Sequence, residues 1–166
     1  MTLPPMAPEA ILVVLAENPD RLAAATAGAT PERLREATEA EPWSATDVLA
    51  HIRSCCDVWG GYVDRMLTEE MPSIKAISPR RWIDRTAYRD LAFGDSLRAW
   101  TAQRTDLLAV LRPLSEADWQ RGATVTGERR VREPSVQSYT EILARHERQH
   151  VDQIQQILRA IAGNGD

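Results

Sequence analysis

Ile142-Leu143-Ala144-Arg145-His146-Glu147-Arg148-Gln149-His150-Val151-Asp152-Gln153-Ile154 is the stretch on which the fold turns. Ile142, Leu143, His146, His150 and Ile154 recur at the three- and four-residue steps of an α-helix, whereas a half-buried strand would alternate every second residue. The stripe reaches back to Tyr139 and forward to Ile157, Leu158 and Ile161. A long amphipathic helix is therefore predicted, capped at Ser135 and terminated by Gly163.

Three more segments carry the same period. The first runs from about Pro8 to Ala27, with Ile11, Leu12, Leu15 and Leu22 on one side. Asn18-Pro19 predicts a kink or short break there, because Asn18 can cap a fresh turn that opens at Pro19. The second helix starts at the N-cap Ser44, with Asp47 in its first turn, where a negative charge suits the helix dipole. Val48, Ile52, Cys55, Trp59, Val63 and Met66 follow at helical spacing, and the element ends before Pro72. The third runs from about Asp95 to Arg112 with Leu97, Trp100, Leu107, Leu108 and Leu111, and Pro113 stops it.

Four amphipathic helices pack most simply as a bundle, so the fold class is all-α, a four-helix bundle in a single domain over residues 1–166. Two long connections remain, 69–94 between the second and third helices and 113–134 between the third and fourth. Loops of that length hold short structure or do a job. Trp82 and Tyr88 in the first are expected to dock on the bundle. Thr124-Val125-Thr126-Gly127 in the second predicts a small turn or hairpin, and no segment offers a convincing sheet.

Composition narrows the function. The 20 basic and 24 acidic residues are scattered, for a net charge of −4, which argues against a nucleic-acid binder with its cations gathered on one face. Arg80, Arg81 and Arg85, and then Arg129, Arg130 and Arg132, are the local concentrations; they read as solvated loop charges rather than an anion pocket. The longest apolar run, Ala10 to Ala16, falls far short of the roughly 20 residues of a membrane span, and the start of the chain does not read as a secretory leader. Cys55 and Cys56 are adjacent and point apart on a helix, so no disulfide is expected and the cytoplasm is the expected compartment.

The chain has three histidines, and each falls on an apolar face. His146 and His150 stand one turn apart on the same side of their helix. His51 lies three residues after Val48 and four before Cys55, on the buried side of another. One buried imidazole is usually a satisfied core residue. Three, with none left for the surface, favour a divalent metal such as zinc or nickel, and they leave a coordination position open.

His146-Glu147-Arg148-Gln149-His150 also spells H-E-x-x-H, the zinc-protease motif in which Glu is the general base. Those enzymes take a further ligand downstream, and Gln153 and Gln156 occupy the Gly and His positions of the long form. The protease reading is set aside. Glu147, about 100° around the helix from His146, reads as an exposed carboxylate or a catalytic candidate.

Trp43-Ser44-Ala45-Thr46-Asp47-Val48-Leu49-Ala50-His51 resembles the W-S-x-x-x-V-L-x-H signature of the DinB-like (YfiT-like) superfamily. His146 to Ile154 resembles its closing H-x-x-x-H-x-x-Q-I element. The resemblance implies a bacterial four-helix bundle, often a homodimer, whose three metal-ligand histidines fall on His51, His146 and His150. It further implies a metal-dependent enzyme acting on a small molecule. That enzyme is a thiol S-transferase using a low-molecular-weight thiol as cosubstrate, or a related transferase or hydrolase. A non-catalytic structural metal and a stress-linked sensor are the alternatives.

Supporting roles are open. Asp47 can hold the His51 ring from behind or simply cap the helix. Cys55 can be a fourth ligand, a redox-sensitive lid or a small buried residue. Gln153 can bond a ligand or a carbonyl. Arg104 and the Arg129–Arg132 cluster can receive a substrate carboxylate.

Overall fold

The computed structural model describes residues 4–127 and 129–163. Four long helices form the bundle: α1 (Pro8–Thr26), α3 (Ala45–Thr68), α5 (Phe93–Leu111) and α7 (Val136–Gly163). Between them lie the short helices α2 (Pro31–Arg35), α4 (Pro79–Ile83) and α6 (Glu116–Trp119). Strands β1 (Ser73–Lys75), β2 (Thr124–Thr126) and β3 (Val131–Arg132) complete the element order. α7 packs against both α1 and α3, and α5 packs against the same two from the other side. The first two long helices are thus diagonal partners, and α7 buries two faces instead of one.

Local chemistry sets the helix starts. Ser44 accepts from Asp47 N while the Asp47 carboxylate accepts from Ser44 N, a reciprocal capping box that opens α3 as expected. Ser115 and Asp118 repeat the device at α6. Thr30 caps α2, an element the periodicity does not reveal, with Pro31 in its first turn. Gly28, at φ +79°, provides the left-handed residue that lets the chain turn between α1 and α2.

The expected break at Asn18-Pro19 does not occur: α1 runs through it. Both residues are buried, and Asn18 spends its side chain on Glu147 of α7 (3.4 Å) instead of capping a new turn. Tertiary packing here overrides the local cost of an interior proline. Ile142, placed on the apolar stripe, is 39% exposed at the edge of the buried face.

A second correction concerns strand. The β2–β3 hairpin forms where Thr124–Gly127 predicted one, but β1 also joins it, parallel to β2 in the register Ser73↔Thr124, Ile74↔Val125 and Lys75↔Thr126. This three-stranded sheet ties the two long connections together. Trp82 and Tyr88 dock as expected, both donating to the Asp57 carboxylate of α3 at 3.0 and 2.7 Å. No helix among the described residues is long and apolar enough to cross a membrane.

Candidate metal centre

α7 carries His146 and His150 on one face, and α3 packs alongside at a stagger that brings His51 level with them. His51 Nε2 lies 3.3 Å from His146 Nε2, and His150 Nε2 lies 3.1 Å from the same atom. His51 is buried and the other two are half-buried. Zinc–nitrogen bonds of 2.0–2.1 Å at tetrahedral angles would set neighbouring ligand nitrogens about 3.3 Å apart. The two separations from His146 Nε2 are of that size, and the His51 and His150 rings stand 4.9 Å apart, so the cluster is compatible with a single divalent ion.

The protonation states fit as well. Burial, reinforced by His150 and Arg80, pushes His51 from an ordinary 6.5 down to about 4. Burial likewise pushes His146 down to about 3. His150 is lowered by burial, with its hydrogen bond to Gln153 opposing the shift. All three rings are neutral at pH 7, the form that ligates a metal.

Two side chains orient His150. Gln153 Oε1 accepts from His150 Nδ1 at 2.6 Å, and Gln153 Nε2 donates to Glu41 Oε2 at 2.7 Å. Because a carboxylate can only accept, Glu41 fixes which end of the amide faces the ring. The proton then sits on Nδ1, leaving the Nε2 lone pair toward the other imidazoles. Trp43 meets His51 edge-on at 5.3 Å, and Trp59 meets His146 at 4.9 Å. His146 Nδ1 is buried without a hydrogen-bond partner, and that ring is held by packing against Trp59 and the other two imidazoles.

Cys55, one turn after His51, is fully buried, with Sγ 3.6 Å from His51 Nε2. Donor atoms of His51, Cys55 and His146 all lie within 4.8 Å of one another. Burial and the charge of Glu147 raise the Cys55 thiol far above its ordinary range.

The other sequence candidates fall elsewhere. Asp47 is a helix cap: its Oδ2 accepts from Ser44 N and Oγ, and its Oδ1 faces Arg89 at 3.4 Å. Glu147 is not on the surface but fully buried, paired with Arg104 and accepting from Cys56 Sγ (3.2 Å) and Trp100 Nε1 (3.4 Å). Arg104 is likewise buried, and the carboxylate it receives is that of Glu147, not a substrate's. Arg129, Arg130 and Arg132 are exposed and line a surface cavity with Arg81. Of the supporting candidates, Gln153 and Cys55 touch histidines of the cluster.

A sequence model of the DinB superfamily matches residues 15–154, a span that takes in His51, His146 and His150. The chain belongs to the DinB superfamily. Within it, the chain is similar to a protein of Geobacillus thermodenitrificans named "Putative metal-dependent hydrolase", 28% identical over 116 residues. That match covers 66% of this chain and 62% of the relative, so the chain spans less than two thirds of the relative's length. Among solved structures, YfiT from Bacillus subtilis superposes with a TM-score of 0.82 at 19% identity, covering 98% of this chain and 93% of that one. It is described as a probable metal-dependent hydrolase with an unusual four-helix bundle topology. A mycothiol-dependent maleylpyruvate isomerase superposes with a TM-score of 0.66 at 16% identity, covering 90% of this chain and 61% of that one. At these identities the structural likenesses establish the shared DinB-type fold.

Two contributors to the centre were not signalled by periodicity. Glu41 precedes the Trp43-Ser44 cap in an irregular segment, and nothing in its spacing points to Gln153. Arg80 reads in sequence as a loop charge, yet its guanidinium stacks over Trp43 at 4.8 Å.

Proposed function

We propose that this DinB-superfamily chain is a metal-dependent enzyme in which His51, His146 and His150 hold one divalent ion, zinc or nickel, and which transfers a low-molecular-weight thiol to a small electrophile. The convergence of three neutral Nε2 atoms at 3.1 and 3.3 Å carries this reading. A divalent ion bound there supplies Lewis acidity, which lowers the pKa of coordinated water to about 7 and deprotonates a coordinated thiol.

The chain's own side chains supply the setting. Gln153 and Glu41 keep His150 in the ligating tautomer. Trp43 and Trp59 wall the imidazoles with apolar surface, which would keep bulk water from a thiol and an electrophile bound beside them. Hydrolysis at the same centre is the neighbouring activity, and the names of the relatives support that chemistry class. The test compares wild type with His51→Ala, metal-loaded, for conjugation of a small thiol to a simple electrophile. Faster conjugation by wild type supports thiol transfer, and equal rates remove it. Turnover of an ester without thiol selects hydrolysis instead.

A second reading rests on Cys55. With Sγ beside His51, it can close the centre as a fourth protein ligand, and closed four-ligand sites are structural or sensory rather than catalytic. Cobalt substitution separates the two. Three nitrogens with an exchangeable ligand support the enzyme, whereas a sulfur-to-cobalt charge-transfer band supports the closed site.

A further inference from the structure

Two consecutive arginines of α4 serve two neighbouring places. Arg80 is exposed, lies over the Trp43 indole at 4.8 Å, and Trp43 in turn touches His51. No carboxylate pairs with Arg80 among the described residues, although ion pairs hold Arg21, Arg65, Arg98, Arg104, Arg145 and Arg148. Stacked on the indole that meets His51, it stands beside the histidine cluster. Arg81, the next residue, lines a surface cavity of about 490 Å³ together with Ser78, Arg129, Arg130 and Arg132. Lys75 and Arg81 line an adjoining cavity of about 670 Å³ against β1 and β2.

Lys75, Arg81, Arg129, Arg130 and Arg132 thus line two adjoining surface cavities. A guanidinium stacked on an indole keeps its N–H edge free and pre-set, and that edge matches the two oxygens of a carboxylate or phosphate. Arg80 and Arg81 are consecutive on α4, so the arginine-lined cavity begins at the residue next to the guanidinium that lies over Trp43. The imidazoles are neutral, so an ion held by them leaves the cluster strongly positive, and the arginines extend that field outward.

We infer that the substrate is an anionic small molecule whose carboxylate or phosphate is anchored by Arg80, with Arg129, Arg130 and Arg132 receiving its distal end. The inference rests on the proposed metal-dependent function for the place where the reacting end lies, but the anion site itself can be measured without it. Arg80 is then a specificity determinant: it selects charged substrates and holds them beside the imidazoles.

The experiment is calorimetric titration with succinate and with inorganic phosphate, on protein stripped of metal and on metal-loaded protein, at low salt. Wild type is compared with Arg80→Gln, Arg80→Lys and the triple variant Arg129→Gln/Arg130→Gln/Arg132→Gln. Loss of one charge-assisted contact weakens binding about tenfold, so Arg80→Gln is expected to bind the metal-free probe about tenfold more weakly, with Arg80→Lys in between. The tighter of the two probes identifies the anionic group. Equal affinity in wild type and Arg80→Gln, or no binding of either probe, overturns the inference while leaving the metal reading intact. Conversely, Arg80-dependent binding in a wild-type protein that takes up no metal sustains the anion site and removes the metal reading.

Discussion

Arg104 of α5 and Glu147 of α7 form an ion pair in the middle of the bundle, with side-chain exposures of 2% and 0%. Asn18 of α1 and Trp100 of α5 complete the donors around the Glu147 carboxylate, and Cys56 of α3 adds its thiol, so all four long helices meet there. Glu147 directly follows His146, so this knot also fixes the roll of α7 that aims His146 at His51. Taking two charges out of water is costly, and the pair persists only because nearly every lone pair is matched.

Removing one partner is therefore expected to be severe. Glu147→Gln should destabilise the fold by about 3–5 kcal/mol, because Arg104 is left buried and unpaired. Urea denaturation measures this directly. The double variant Arg104→Met/Glu147→Leu should recover most of the loss, and an undamaged Glu147→Gln protein would show that the pair contributes little.

Metal binding should depend on the histidines and on the residue behind one of them. His150→Ala should abolish stoichiometric zinc or nickel while retaining most of the helical circular dichroism. Gln153→Ala, which frees the His150 ring, should weaken metal affinity about 10–100-fold without abolishing it. Competition against a chromophoric chelator reads both, and full-strength binding by His150→Ala would sink the ligand assignment.

Cys55 divides the two readings of the centre. If the centre is open, Cys55→Ala should keep one metal per chain and its thiol-transfer rate. In the metal-free folded protein, the buried and poorly ionised Cys55 should resist a thiol-alkylating reagent at pH 7.5 until the chain is unfolded. Mass spectrometry of the alkylated chain decides, and loss of metal in Cys55→Ala would favour the closed site.

The pH dependence follows from the lowered imidazoles. In the unfolded chain each histidine takes up a proton near 6.5, but in the fold His51 and His146 do so only near 4 and 3. The unfolded state thus binds more protons between these values, and stability falls as the pH drops from about 6.5 toward 4. Metal-free protein should lose thermal stability over this window. Bound metal should raise the melting temperature most above pH 6 and progressively less below it, as protons compete for the same nitrogens. A flat melting temperature for metal-free protein from pH 7 to 4.5 would contradict the burial of these rings.

What the sequence could show depended on range. Ser44 and Asp47 announce the start of α3 within four residues, and His146 and His150 share a face because helical geometry requires it. The meeting with His51 was not legible, since the stagger of α3 against α7 depends on packing rather than on period. Glu147 misled for a related reason. An angle of about 100° from His146 leads to solvent on a helix with one buried face, but α7 is covered by both α1 and α3. β1 is three residues long, and its partner β2 lies in the other long connection, so no local pattern could reveal the pairing.

That pairing has an evolutionary corollary. Because β1 is bonded to β2, the segment that leads into α4 and the arginine-rich hairpin are joined through one sheet. On the proposed anion site, mutations in the hairpin would alter which molecules bind without disturbing the helices that carry the imidazoles. On that reading, selection would vary substrate preference and preserve the histidine cluster independently, a division of labour that would let one bundle diversify into many activities.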